Sequence, residues 1–179
     1  MNPIPEVVWD VFGGDKMATQ ITSIMELGNK KNPRGVYKHY FESIGIEHVS
    51  IDWNGQDGAL PYDLQQPLPL DRTFDVVTDI GCIEHVEQQE PVWRNVHNFS
   101  HGYMVHILPL VNTWKGHGLY KYEMEFLRTL AQVNQYVIEV LDLKDWWGTK
   151  PNRICICARF KKEKETSFIW PGNEGIVLQ

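Results

Sequence analysis

At 179 residues the chain is long enough for one domain with a sizeable core, and 42% apolar with 22% charged residues is the balance of a folded globular protein, not a disordered one. A formal net charge of −6 argues against a broad phosphate-binding surface, and so against nucleic acid as a partner; no apolar run reaches membrane-spanning length. The N-terminus has no basic region followed by an apolar core, and three cysteines (Cys82, Cys155, Cys157) make no disulfide framework, so a reducing, cytoplasmic setting without a membrane partner is expected.

Residues 5–12 read as a short helix, with Pro5 at a first helical position, Val7, Val8, Val11 and Phe12 on one face, and Gly13-Gly14 as the stop. Such a helix is expected over a sheet edge or as a lid on a ligand site. Residues 21–27, ITSIMEL, read as a first strand, with Glu26 near its end and Gly28 after it. Pro33 is expected to open a helix carrying Val36, Tyr37, Tyr40, Phe41 and Ile44 on one face, closed by Gly45. Residues 48–53, HVSIDW, form the next strand, with Asp52 at its end. A strand–helix–strand unit of this length forms a right-handed parallel crossover. An acid after the second strand can hold both hydroxyls of a ribose, although two strand-end acids can also be merely solvated.

Residues 54–58 are a turn, and residues 59–64, ALPYDL, a short third strand ending near Asp63. Pro67 and Pro69 mark a loop before a fourth strand at 74–78, FDVVT, whose β-branched run fits burial on both faces. In an open α/β sheet, ligands sit beyond the carboxyl ends of the strands, so Asp79, Gly81, Glu84 and His85 are expected to face a site. A helix with Val92, Val96 and Phe99 inward and Gly102 closing it precedes a fifth strand at 103–110 with His106 inside. A long loop at 111–122 then carries Trp114, His117 and Gly118, and could wall a pocket or simply pack on the sheet edge. Residues 123–134 read as a helix. Residues 136–143 and 153–161 are the last two strands, an antiparallel pair because the gap holds no helix. Cys155 and Cys157, two apart on the last strand, point to one face. The tail from Glu163 is of mixed character and is expected to be partly disordered.

The order of strand-end acids, IMELG at 24–28, and the string YDLQQPLPLDRTFDVVTDIGCIEHV at 62–86 resemble the class I S-adenosylmethionine-dependent methyltransferases, and the second string their small-molecule, methyltransferase-11-like branch. The resemblance covers about residues 21–161. It implies a Rossmann-like α/β fold: a mostly parallel seven-stranded sheet with an antiparallel last strand and helices on both faces. The domain would be residues 1–162, with 163–179 as a C-terminal tail. It implies S-adenosylmethionine as cofactor and a small-molecule methyl acceptor. Glu26 and Gly28 would border the methionine half, Asp52 would hold the ribose hydroxyls, and Trp53 would pack on adenine. Asp63 would accept from the adenine amino group and the Leu64 backbone would meet the ring edge. Asp79, Ile80 and Gly81 would lie beneath the sulfonium. His85, or else His117, would be the base, with Asp79 an orienting residue.

One departure stands out. The family's Gly-x-Gly-x-Gly loop is reduced here to Gly28 followed by Asn29, Lys30, Lys31, Asn32, Pro33, Arg34 and Gly35. A reshaped loop that still binds is one consequence, with a helix opening at Pro33 offering N–H donors to the methionine carboxylate. A catalytically inactive binding or assembly module, with its cleft blocked, is the other. A dinucleotide oxidoreductase shares the acid-after-second-strand logic but wants the glycine fingerprint. Glu84, His85, His97, His101, His106 and His117 raise the question of a metal. None shows His-Glu-x-x-His spacing, and His97 and His101 are expected on the surface, so no metal is expected.

Overall fold

The computed structural model describes residues 4–32, 35–146 and 153–179. A six-stranded sheet runs β4 (Glu47–Ile51), β1 (Ser23–Leu27), β5 (Phe74–Ile80), β6 (Ser100–Pro109), β9 (Ile154–Lys161), β8 (Val137–Asp145). The first four strands are mutually parallel. β9 is antiparallel to both neighbours, as expected of the final pair. Two minor ladders complete the strands: β2 (Lys31–Asn32) with β3 (Gly35–Val36), and β7 (Tyr120–Tyr122) with β10 (Ile176–Leu178).

Alternation along the strands divides the core into two layers. Ile24, Val76, Val105, Ile107, Cys155 and Cys157 face α1 (Glu6–Phe12), α2 (Gly14–Ala18) and α3 (Tyr37–Ser43). Met25, Leu27, Val77, Met104, Leu108, Ile156 and Phe160 face α4 (Gln89–Phe99) and α5 (Met124–Val133). α4 buries Val92, Trp93, Val96 and Phe99 at helical spacing, and α5 buries Phe126, Leu127, Leu130 and Ala131. α1 therefore lies on a sheet face, neither at an edge nor as a lid.

Register sets the strand tips level. Leu27 pairs with Ile51 on one side and Asp79 on the other, and Asp79 pairs with His106. From β1 the chain crosses to β4 on one side, then to β5 on the other. The tips of β1, β4 and β5 thus form the reversal point where open sheets bind ligands.

Several expectations need correction. Six main strands replace seven: residues 59–64 make only a one-residue bridge, with Leu60 N donating to Ser50 O (2.8 Å) and accepting at its carbonyl from Asp52 N (3.0 Å). Pro61 follows and has no N–H with which to continue the ladder. The helix expected from Pro33 begins at Tyr37, because residues on both sides of 33–34 pair as β2 and β3; Pro33 itself lies outside the described residues, as do 147–152 of the expected turn. Ile44, expected on the inner face, is 44% exposed. Gly102 does not close a helix. It lies in β6 beside a bulge, where a Cβ would stand 2.5 Å from Asp75 O.

His97 is buried, not on the surface. Its Nε2 donates to Thr166 O (2.7 Å), which leaves Nδ1 to accept from Tyr136 OH (2.6 Å). The expected disorder of the tail is overturned by the same contacts. Lys162 Nζ donates to His97 O and Ser100 O, Asn134 exchanges two 2.8 Å hydrogen bonds with the Ile169 backbone, and Phe168 and Trp170 cover the α4–α5 layer. Among the described residues no helix is long and apolar enough to cross a membrane.

Candidate functional site

A cavity of about 790 Å³ opens at the reversal point, within the 300–1,000 Å³ range of small-molecule sites. Its floor is the strand ends: Leu27-Gly28, Ile51-Asp52 and Ile80-Gly81. Gly28 (φ +77°) and Gly81 (φ +70°) hold left-handed conformations that let the chain turn sharply at those tips. Gly28 N also donates to Ile51 O at 2.7 Å, which ties the β1 and β4 tips together.

The sequence-named residues divide cleanly. Gly28, Asp52, Trp53, Asp63, Leu64, Ile80, Gly81 and His85 all line this cavity. Trp53 is 82% exposed, a ring standing at the rim. Asp52 Oδ1 accepts from Asn54 N (3.1 Å) and Asp63 Oδ1 from Gln65 N (2.9 Å), so each carboxylate shapes its own turn and keeps a second oxygen.

Glu26 and Asp79 do not line it. Glu26 points into the opposite layer, beside Tyr37 and Phe41, and reaches the loop only by accepting from the Lys30 backbone N–H. Burial raises its carboxyl to about 8 against the pull of Lys30. Asp79 is sealed in β5. Its Oδ1 accepts from Cys82 N (3.0 Å) and Ile83 N (3.1 Å), and its Oδ2 meets His106 Nδ1 at 3.4 Å. It therefore positions the 3-10 turn Ile83–His85 instead of meeting a ligand. Gln89 fixes the same turn, donating to Ile83 O and Val86 O while accepting from Tyr122 OH (2.7 Å).

The shortened glycine loop is reshaped, and it leaves the cavity open. Asn29 Nδ2 donates to Gln56 O (2.8 Å) and Lys31 pairs with Asp57 (2.9 Å), so the loop leans on the 54–58 turn. Asn29 and Lys30 form part of the cavity wall. The expectation of helical N–H donors near Pro33 does not hold, since α3 starts at Tyr37.

A second cavity of about 220 Å³ shares Lys30 and Gly81 with the first and adds Glu84, Trp114, His117, Trp146 and Cys155. The 111–122 loop does wall a pocket. It is pinned by Leu119 N donating to Glu84 O (2.8 Å). At the junction Glu84 Oε1 lies 3.3 Å from His117 Nε2 and 3.8 Å from His85 Nε2. The imidazoles meet edge to face at 5.0 Å. Burial holds His85 below the usual histidine range, opposed by Glu84. Glu84, expected to face the site, is instead only 1% exposed, and from within the fold it joins two histidines from separate segments.

No protein-family model and no curated protein matches the sequence. Solved structures do match in fold. Magnesium protoporphyrin IX methyltransferase (ChlM) from Synechocystis PCC 6803, with bound SAH, aligns at TM-score 0.62 and 11% identity, over 88% of this chain and 80% of that one. The N-methyltransferase NodS from Bradyrhizobium japonicum WM9 aligns at 0.60 and 13%, over 84% and 96%. A S-adenosylmethionine dependent methyltransferase from Mesorhizobium loti aligns at 0.58 and 13%, over 85% and 100%. At these identities the likeness is one of fold: the chain has the Rossmann-like fold of the class I S-adenosylmethionine-dependent methyltransferases.

Proposed function

We propose that the protein is an S-adenosylmethionine-dependent methyltransferase acting on a small molecule. The observation that carries this is one cavity, at the reversal point of the sheet, bounded together by Gly28, Asp52, Asp63, Gly81 and His85. Its residues fit the cofactor. Asp52 at the β4 tip accepts from the ribose hydroxyls, with Trp53 against the adenine face. Asp63 and the Leu64 backbone meet the adenine edge. Gly28 and Gly81, which carry no side chain, would admit the methionine and sulfur end beside Ile80. Bound there, the cofactor supplies a methyl group on a positively charged sulfur. Solved structures of the same fold with bound SAM and SAH support the choice of ligand.

The protein's part in such a transfer is alignment. His85 at the cavity rim and His117 in the adjoining cavity are the polar groups placed to orient an acceptor. Asp79 and Gln89 hold the turn that presents His85. Trp114 and Trp146 give the second cavity aromatic walls, suited to a flat or partly apolar acceptor. Calorimetry with SAH tests the reading: micromolar binding is expected, and no heat at millimolar SAH in folded protein overturns it.

A further inference from the structure

We infer that Glu84, His85 and His117 form a binding site for a divalent transition-metal ion where the two cavities meet. The role of that ion as acceptor anchor rests on the methyltransferase reading; the site itself does not. One ligand atom from each of Glu84, His85 and His117 lies within 4.8 Å of the other two, and Glu84 Oε1 stands 3.3 Å from His117 Nε2 and 3.8 Å from His85 Nε2. An ion at about 2.0–2.2 Å from each would set those atoms about 3.0–3.6 Å apart, so the cluster needs to contract by about 1 Å or little more. The histidine side chains are 50% and 39% exposed, free to make that adjustment. Glu84 is the fixed point: its side chain is 1% exposed, and among the described residues its Oε2 has no hydrogen-bond partner. A buried carboxyl group with an oxygen left without a partner is costly, and an ion held by that group together with the two imidazoles would supply the missing partner.

The surroundings choose the class of ion. Lys121 donates to His117 O beside the cluster, and Lys30 stands over Trp146 across the second cavity. With two ammoniums close by and a single carboxylate, a hard ion that needs several oxygen ligands is poorly served. Two imidazoles and one carboxylate suit Zn²⁺, Co²⁺ or Fe²⁺ and leave positions open toward the cavities. An acceptor bearing a hydroxyl, amine or carboxylate donor would occupy an open position, held within reach of the Gly81 end of the larger cavity. The contributing segments are 33 residues apart in sequence, as the 84–117 contact shows.

The test is a Co²⁺ titration of the full chain, read by visible absorption, with SAH calorimetry on the same metal-free preparation. Saturable d–d bands are expected. His117→Ala, at a half-exposed position, and Glu84→Gln are each expected to weaken Co²⁺ binding at least tenfold. His101→Ala, at an exposed histidine outside the cluster, should leave the titration unchanged. Absence of bands at millimolar Co²⁺, or bands unaltered in His117→Ala, overturns the site. SAH binding without Co²⁺ uptake overturns this inference alone. Co²⁺ uptake lost in His117→Ala, in a protein that ignores SAH, upholds the metal site and overturns the methyltransferase reading.

Discussion

Gly118 sits hard against Glu84: a Cβ on the glycine would stand 2.8 Å from Glu84 Cγ and 3.2 Å from its carbonyl oxygen. The glycine also holds φ at +73°. Both facts make Gly118→Ala costly, by about 2–4 kcal/mol from overpacking plus left-handed strain. Gly116, two residues earlier, has φ +70° but nothing within 4 Å, so Gly116→Ala feels the strain alone, about 1 kcal/mol. Urea unfolding of the two variants separates the effects. Equal stabilities would show that the loop does not pack on Glu84.

Asp52 is the sharpest probe of the large cavity. Its Oδ1 holds the turn through Asn54 N, a bond that asparagine can also make. Asp52→Asn is therefore expected to keep the fold and lose one charged acceptor for a ligand hydroxyl. Hydrogen bonds to charged groups contribute about 1.5–3 kcal/mol, so SAH affinity should fall roughly 10- to 100-fold. Calorimetry that finds wild-type affinity in Asp52→Asn would move the nucleoside away from the β4 tip.

The parallel strands β1, β4 and β5 were legible because each is a short run holding apolar residues and stopped by a glycine or an acid: SIMEL before Gly28, EHVSI before Asp52 and FDVVTDI before Gly81. The third strand was not, since Pro61 limits it to a single bridge at Leu60. The 31–36 stretch misled for a related reason: Pro33 reads as a helix start, but its flanks pair with each other. His97 looked exposed because its partners, Tyr136 and Thr166, are 39 and 69 residues further along the chain. The Glu84–His117 contact is equally non-local, so no spacing rule applied within one helix could detect it. Asp79 and Glu26 were placed correctly at strand ends, but alternation turns their side chains into the two core layers and away from the cavity.

The tail is part of the fold, and Asn134 tests that directly. Its side chain exchanges two 2.8 Å hydrogen bonds with the Ile169 backbone and gives a third to Leu130 O. Asn134→Leu removes these while leaving the Ile169 N–H and C=O without partners. A loss of about 1–3 kcal/mol is expected, with faster proteolysis after residue 162. Unchanged proteolysis would mean that Phe168 and Trp170 alone hold the tail on the α4–α5 layer.

Glu26 and His48 face each other in the core, with Oε2 and Nε2 3.6 Å apart. Burial pushes Glu26 up to about 8, against Lys30, and pushes His48 down to about 3, with Lys38 adding to the fall. Between those values the pair is a neutral acid beside a neutral imidazole. The unfolded groups titrate near 4.5 and 6.5. From 6.5 up to about 8 the folded Glu26 keeps a proton that the unfolded chain has lost, so stability falls as pH rises. From 4.5 down to about 3 the unfolded His48 holds a proton that the folded one refuses, so stability falls as pH drops. Between 4.5 and 6.5 the two slopes cancel, and this pair contributes a plateau. Each limb should approach about 1.4 kcal/mol per pH unit. Glu26→Gln keeps an oxygen for the Lys30 N–H and is expected to flatten the alkaline limb. His48→Phe, stacked on Phe41 as His48 is at 5.5 Å, should flatten the acid one. Urea midpoints across pH decide the matter. If wild type gained stability between 6.5 and 8 and matched Glu26→Gln throughout, the glutamate would be ionised in the folded protein and the neutral pair refuted.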